Sequence, residues 1–437
     1  MANNIKSQRD ILDKLNIEEL NSMQKEANKI IVKNENTIVL SPTGTGKTLS
    51  FLMPLFSVLD PKVDGIQALI VVPSRELAIQ IEQVFRHMGT GFKLNAVYGG
   101  RSKSKDRMEL KHIPSVLIGT PGRILDHFTD ERMDTNTVKY LVLDEFDKIL
   151  EVGFEEELSQ ILGFLPNLEK RILTSATNIE KVPSFVKLKE PKILNYLDAG
   201  SKSKLDLKVV EYVKSQKADI LVDLLKHLGN QNGIVFCNFK ATIEEVSSLL
   251  EENNVEHSCF SGGMEQIERE RSLIKFRNGS THVMVATDLA ARGLDIPELS
   301  YIIHYELPHA YEEFTHRNGR TARVSANGTS YVLKDKDRSL PDFIKNTTLL
   351  KQFKNAGLAK PYHTTLFISG GRKDKISKGD IAGLFMKIGG LSSDELGLIE
   401  LKQDCAFVAV PLKKADQLIK KLNNSHLKKK KVRIYGI

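Results

Sequence analysis

Residues 41–48 read SPTGTGKT and residues 144–147 read DEFD, and both suit the handling of a triphosphate. Gly44 and Gly46 let the backbone curl until its amides face a phosphate, Lys47 supplies a point charge, and Thr48 offers a hydroxyl for Mg2+. Ser41, Thr43 and Thr45 fill out the cradle, with Ser41 standing where the general pattern has glycine. In DEFD, three carboxylates follow an apolar run, where they repel one another unless a cation or hydrogen-bond donors take them up. Taken alone, the tetrad is also what an acidic helix start looks like. Beside Lys47 it has a chemical purpose: Asp144 holds Mg2+ carried by the nucleotide, and Glu145 polarises the attacking water as a general base. Asp147 is left to couple to another loop. Further along, HRNGRTAR places His316, Arg317, Arg320 and Arg323 within eight residues. Alone, these arginines are a solvated helix face. Opposite a phosphate loop that lacks an obvious arginine of its own they read as arginine fingers, worth roughly 10³- to 10⁵-fold in turnover.

Groups like these need rigid supports. The chain alternates short apolar strands with amphipathic helical stretches, the pattern of parallel α/β sheets. Strands are expected at 36–41, 68–73, 93–100, 115–120, 140–145 and 171–177, and a second set at 233–238, 256–262, 282–287, 301–307 and 329–333. Between two of them, SRELAIQIEQVFRHM has apolar residues recurring at three and four, as a helix requires. The small polar residues of AGSKSKLD mark a linker over 199–206. The chain therefore divides into a first α/β domain at 1–198, a second at 207–345, a connector at 346–362 that is helical near 340–358, and a third domain at 363–437.

In chain order the motifs are Gln24, SPTGTGKT (41–48), PSRELA (73–78), GG (99–100), TPGR (120–123), DEFD (144–147) and SAT (175–177). The second half adds VFCNF (235–239), QIER (266–269), ATDLAARGLD (286–295) and HRNGRTAR (316–323). Their order and spacing over residues 5–345 resemble the DEAD-box RNA helicases. The resemblance implies two tandem RecA-like parallel-sheet domains and RNA-stimulated ATP hydrolysis coupled to local unwinding of short RNA duplexes. It implies that Gln24 reads the adenine edge, that Ser41, Thr43, Gly44, Thr45, Gly46, Lys47 and Thr48 hold the phosphates, and that Asp295 holds the ribose. Thr48 and Asp144 would bind Mg2+. Lys47, Asp144, Glu145, Arg320 and Arg323 would form the catalytic set. Asp147, Ser175, Thr177 and His316 would couple hydrolysis to closure of the two domains. RNA would lie on Arg75, Gly100, Thr120, Arg123, Gln266, Arg269 and Thr287, contacts that position a strand without reading its sequence. Some positions depart from the family: Phe146 for alanine, Phe239 for threonine, Ser261 for histidine, and ELNSM before Gln24 where a Pro-Thr pair is usual. Residues 1–23 also contain no aromatic to stack on adenine.

After the connector, strand 364–369, helix 377–388, strands 397–402 and 405–410, helix 412–423 and strand 431–435 give β-α-β-β-α-β, the order of an RNA-recognition motif. Phe367 and Phe407 sit where that fold stacks bases, with Cys405 in place of another aromatic; core packing is the alternative, stronger for Phe407. Residues 351–437 carry 18 Lys plus Arg against 7 Asp plus Glu, although the whole chain is only +8, which suits a tether to a polyanion. Arg372, Lys373, Lys375, the lysines at 428–431 and Arg433 are its basic groups. GRKD and GDIAG make this α+β segment resemble the RNA-binding domain of DbpA-type helicases, which implies docking on a hairpin of large-subunit ribosomal RNA. Three isolated cysteines without CxxC spacing, and no tight His/Cys cluster, argue against disulfides and zinc. Apolar runs such as ALIVV are strand-length, and MANNIKSQRD has no apolar signal core. The expectation is a cytoplasmic monomer that uses ATP and Mg2+, binds structured RNA and no membrane, and takes no other metal. A DNA translocase and a non-hydrolysing RNA clamp are the rivals; Glu145, Arg320 and Arg323 speak against the clamp.

Overall fold

The computed structural model describes residues 6–42, 44–130, 133–179, 181–197, 205–288, 299–321 and 328–437, which fall into two compact units dividing near residue 204. In the first unit, strands β1 Asn36–Leu40, β2 Ala68–Val71, β3 Leu94–Val97, β4 Val116–Gly119, β5 Tyr140–Leu143, β6 Lys170–Ser175 and β7 Lys192–Asn195 form one sheet. Their order is β3-β4-β2-β5-β6-β1-β7, and every neighbouring pair is parallel. Parallel strands need crossover helices, which cover both faces, so the inner strands are apolar throughout rather than alternating. Successive residues enter opposite cores. Ala68 and Ile70 join Phe51, Leu52 and Ile81 on one side, while Leu69 and Val71 join Ile124, Phe146 and Leu158 on the other. Phe146 is fully buried, so the ring inside DEFD anchors the turn that carries the carboxylates. Strand β7 goes unanticipated in the sequence because, at the sheet edge, only Leu194 of its four residues is buried.

Since every strand runs the same way, the loops after their carboxyl ends emerge along one edge. The strand order sorts those loops. Neighbours β5, β6 and β1 lead to DEFD, SAT and the phosphate loop, while neighbours β3, β4 and β2 lead to GG, TPGR and PSRELA.

The second unit repeats the plan with β8 Leu205–Tyr212, β9 Gly233–Cys237, β10 His257–Phe260, β11 Val283–Thr287, β12 Tyr301–His304, β13 Gly328–Asp335 and β14 Thr348–Leu349. The order is β10-β11-β9-β12-β13-β8-β14, again parallel. Strand β8 begins at Leu205, inside the stretch read as a linker over 199–206, because it pairs along the whole of β13 and buries Leu207, Val209 and Val210. Residues 198–204 lie outside the described ones. The connector expected to be helical near 340–358 is not a helix. It runs as turns and the short β14, and its amides bond sideways: Leu350 to the Val209 carbonyl at 2.9 Å and Lys354 to His227 Nδ1 at 2.7 Å. With those donors engaged on neighbouring elements, no helical ladder is needed to satisfy them.

Within this unit the C-terminal segment forms its own antiparallel sheet. Strands β15 His363–Ile368, β16 Ile399–Leu401, β17 Ala406–Pro411 and β20 Ile434–Gly436 lie in the order β16-β17-β15-β20. Helix Lys378–Gly383, continued by a wider π turn at Leu384–Ile388, and helix Ala415–Leu422 pack against Leu366, Ile368, Val408, Val410 and Ile434. The strand expected at 431–435 is divided. Its first residue pairs in a separate hairpin, β18 His426–Leu427 with β19 Lys430–Lys431, and Ile434 opens β20. Among the described residues no helix is long and apolar enough to cross a membrane.

Candidate active site and nucleic-acid interface

Strand β1 runs straight into the phosphate loop, where Gly44 and Gly46 have φ of +84° and +85°, left-handed values that side chains resist. A Cβ on Gly46 would also meet Gln24 Nε2 at 2.5 Å. That nitrogen donates to the Gly46 carbonyl at 3.1 Å, and Asn21 Nδ2 donates to the Thr45 carbonyl at 3.0 Å. Asn21 and Gln24 also form a capping box on helix Ser22–Lys33, each side-chain oxygen accepting the other's backbone N–H, at 2.9 and 3.0 Å. Asn21, in the ELNSM departure, is therefore a site residue that motif reading passes over. Its signal is the capping-box spacing, an Asn three residues before a Gln. Lys47 is buried, with its Nζ donating to the Ser41 carbonyl at 2.5 Å. The Ser41 and Thr45 hydroxyls lie 2.6 Å apart, and the Ser41 amide donates to the Ser175 carbonyl at 3.0 Å, which ties the loop to β6. Thr48 follows Lys47 in helix Lys47–Val58; Thr43 lies outside the described residues.

Asp144, at the end of β5, is buried and accepts from the Thr174 hydroxyl on neighbouring β6. The same carboxylate oxygen accepts the Glu145 amide at 3.1 Å. Burial is the strongest influence on the Asp144 carboxyl and pushes its pKa up, while the Thr174 hydroxyl, Lys47 and the Glu145 amide draw it down. A buried carboxylate of this kind is relieved by a divalent cation. Among the described residues no three His, Cys, Asp or Glu cluster into a self-sufficient metal site. The residues present fit Mg2+ arriving on phosphate oxygens, the way this ion is usually held beside nucleotides. Glu145 adopts a left-handed φ of +49°, which costs about 1–2 kcal/mol in a residue with a Cβ. Its amide, donating to both Asp144 Oδ1 and Thr174 Oγ1, the latter at 3.2 Å, holds that conformation. Thr174 is thus a second residue missing from the motif reading. The expected coupling groups of this unit do meet: the Thr177 hydroxyl donates to Asp147 Oδ2 at 3.0 Å, and the Thr177 amide donates to Ser175 Oγ at 3.0 Å.

On the other half of the same edge, the Arg75 guanidinium lies against Gly99 and Gly100; Gly100 has φ +82°, and a side chain there would run into the guanidinium. The Thr120 carbonyl accepts the Arg123 amide at 3.1 Å at the start of helix Pro121–Asp130. Arg123 itself turns inward. Its Nε donates to Asp106 Oδ2 at 2.8 Å and its Nη2 to the Arg101 carbonyl. Asp106 is 1% exposed and also takes Arg101 Nε at 3.0 Å and His127 Nε2 at 3.2 Å. Arg123 is thereby a member of a buried ion cluster organised by Asp106, an acid that looks unexceptional within KSKDRMEL.

The second sheet sorts its loops in the same manner. Neighbours β10, β11 and β9 lead to Gln266 and Arg269, to Thr287 and to Phe239, whereas β12 leads to helix Tyr311–Asn318 with His316 and on to Arg320. Arg269 is buried with its guanidinium 4.9 Å from the Phe260 ring centre. Phe239 stands 59% exposed at the start of helix Lys240–Glu252. His316 and Arg320 are buried. Of the three arginines read together as fingers, Arg317 is instead structural. It donates to Asp288 Oδ1, the Glu306 carbonyl and Asn238 Oδ1, each at 2.7 Å, and is 1% exposed. Arg323 and Asp295 lie outside the described residues.

In the C-terminal domain Phe367 stands in register with Phe407 on one side and Tyr435 on the other, at ring distances of 5.5 and 4.8 Å. Phe367 is half-buried and Phe407 buried, whereas Tyr435, not singled out from the sequence, is exposed. Arg372 and Lys373 are exposed on the turn Arg372–Asp374, fixed by their amides to the Lys402 and Gln403 carbonyls at 3.0 and 2.9 Å. Lys428 pairs with Asp380 at 2.9 Å and Lys430 with Asp374 at 3.5 Å, so part of the basic run is engaged within its own domain.

Residues 21–185 match the DEAD/DEAH box helicase family, residues 216–325 the helicase conserved C-terminal domain, and residues 365–435 the DbpA RNA binding domain. The chain is 30% identical over 460 residues to the ATP-dependent RNA helicase DbpA of Bacillus subtilis (strain 168), covering 97% of this chain and 96% of that protein. It is 33% identical over 322 residues to the ATP-dependent RNA helicase FAL1 of Candida albicans, covering 72% of this chain and 81% of FAL1. Among solved structures it is similar to S. cerevisiae Dbp5 bound to RNA and ADP BeF3, with a TM-score of 0.67 and 26% identity over 75% of this chain and 88% of that one.

Proposed function

The chain belongs to the DEAD-box ATP-dependent RNA helicases, and from that premise we propose that its two α/β domains, at 1–198 and 207–345, complete one ATP site together while holding a single RNA strand. The observation that carries this is the sorting of loops by strand order. In the first sheet β5-β6-β1 support the nucleotide residues and β3-β4-β2 the RNA residues, side by side on one edge. Gly44, Gly46, Lys47 and Thr48 hold the phosphates, Gln24 and Asn21 brace the loop from behind, and Asp295 takes the ribose. Thr48 and Asp144 hold Mg2+, which neutralises charge on the phosphate oxygens. Glu145 accepts the proton of the attacking water, and Arg320 and Arg323 stabilise charge on the transferred phosphoryl group when the second domain arrives. Asp147, Ser175 and Thr177 report the state of that site to His316 and the second domain. Arg75, Gly100, Thr120, Arg123, Gln266, Arg269 and Thr287 hold the strand by its backbone, and 2′-hydroxyl contacts favour RNA over DNA.

The domain at 363–437 directs this engine to structured RNA, through the exposed Arg372 and Lys373 and with Phe367. Its match to the DbpA RNA binding domain supports RNA binding by this segment; beyond that match we infer a ribosomal RNA target and a part in large-subunit assembly, performed by a cytoplasmic monomer. The test is ATP turnover with structured RNA and with DNA of the same sequence. RNA is expected to stimulate phosphate release and DNA to fail, and Glu145→Gln is expected to abolish release while RNA binding survives. Equal stimulation by DNA favours the translocase, and turnover in Glu145→Gln overturns the assigned chemistry.

A further inference from the structure

Phe239 breaks two local rules at once. It is the N-cap of helix Lys240–Glu252: its backbone is extended, with φ −123° and ψ 151°, and its carbonyl accepts the Ile243 amide at 3.2 Å. Ser, Thr, Asp and Asn are favoured at that position because their side chains accept a helix amide, which a phenyl ring cannot do. The ring is also left 59% exposed, so it fills no core. A single apolar side chain on a surface is ordinary. One that displaces a helix cap and still stands in solvent is the kind of local conflict that marks a functional position.

The position is rigidly mounted. The preceding residue, Asn238, donates from its backbone to Glu306 Oε2 at 2.6 Å and from Nδ2 to the Leu307 carbonyl at 2.9 Å, and it accepts from Arg317 Nη2 at 2.7 Å. The His309 ring stands 6.5 Å from the Phe239 ring, tilted by 58°. Two relations set Phe239 beside residues assigned to the RNA strand. Cys237, two residues earlier on β9, is in register with Thr287 on β11. Lys240, the next residue, lies against Gly263 in the turn that leads into Gln266.

We propose that Phe239 is a stacking platform for one unpaired base of the strand held by Thr287 and Gln266, which rests on the assignment of those two residues to RNA. The second domain then grips the strand by a base as well as by its backbone. Every base has a π face, so the contact adds affinity without reading sequence. The ring is fixed before RNA arrives, so little ordering opposes the stacking. A base inside a duplex is already stacked on its neighbours, and it reaches the ring only when splayed out. Phe239 therefore favours the separated strand over the duplex.

The test compares the full chain with its Phe239→Thr and Phe239→Trp variants, each binding a short oligouridylate beside a non-hydrolysable ATP analogue, read by fluorescence anisotropy. Phe239→Thr restores a favoured cap, so its urea midpoint is expected to equal or exceed the parent's, which separates lost RNA affinity from lost fold. The expected loss of affinity is about tenfold or more, while Phe239→Trp stays within about twofold of the parent. Oligouridylates that each lack the base at one position then locate the contact. At one position the missing base is expected to weaken binding by the parent about tenfold, and Phe239→Thr is expected to be indifferent to it. An effect of the missing base that is equal in the parent and in Phe239→Thr overturns the platform. So does a Phe239→Thr protein that matches the parent on every oligonucleotide, which leaves the ring to a protein partner. RNA-stimulated phosphate release by the parent tests the helicase reading separately; its presence beside either overturning result removes the platform alone.

Discussion

At the scale of single residues, the groups proposed to do chemistry are readable from the sequence and the groups that aim them are not. Lys47, Asp144 and Glu145 announce themselves because a point charge after a glycine loop and carboxylates after an apolar strand are what the proposed phosphate chemistry asks for. Thr174 and Asn21 are ordinary polar residues whose meaning depends on neighbours supplied by another strand or loop. Thr174 matters because β6 lies beside β5, and Asn21 because its side chain reaches the Thr45 carbonyl. Asn21→Ala removes both the cap and the tether to the phosphate loop. Loss of such a cap costs about 1 kcal/mol, and the expected outcome is nucleotide binding weakened roughly five-fold, as measured by titration with a fluorescent ATP analogue. Unchanged affinity would show that the loop holds its shape without Asn21.

At the scale of elements, the strands buried on both faces were legible as continuous apolar runs, and the fold class follows from them. Edge pieces were not. Strand β7 exposes most of its side chains, β8 starts inside a polar stretch, and β14 is two exposed residues that only pairing with β8 makes into a strand. The Asp106 cluster joins helices Lys103–Leu110 and Pro121–Asp130. Removing one partner of a buried ion cluster costs about 3–5 kcal/mol. Asp106→Asn is therefore expected to lower the unfolding midpoint of the first domain in urea and to weaken RNA binding, since Arg123 loses its anchor. Strand β12 supplies a pH dependence. His304 is fully buried between Phe236 and Phe314, and burial, with Arg317 nearby, takes its pKa from 6.5 down to about 3. The folded form stays neutral while the unfolded chain takes up a proton. The contribution is therefore complete above pH 6.5 and is lost progressively as pH falls toward 3. Between pH 7 and 5 this group is expected to cost up to about 2 kcal/mol of stability, measured by urea unfolding at each pH. A flat profile over that range would show that His304 protonates without penalty.

At the scale of the whole molecule, the succession of two parallel sheets and one antiparallel sheet was legible in the switch from two parallel α/β patterns to a β-α-β-β-α-β order. The hydrogen bonds of Asn278 and Ser280 to Thr365 were not, because these residues carry no pattern until the fold brings them together. Under the proposed function the first domain binds ATP and the second completes the site for hydrolysis. Arg320 is the described residue on which that division of labour rests. Its decisive measurement is single-turnover ATP hydrolysis by Arg320→Ala in the presence of saturating RNA. ATP affinity is expected to stay within a few-fold of the parent protein while the hydrolysis rate falls by about 10³-fold or more; an unchanged rate would rule out a role for Arg320 at the transferred phosphoryl group.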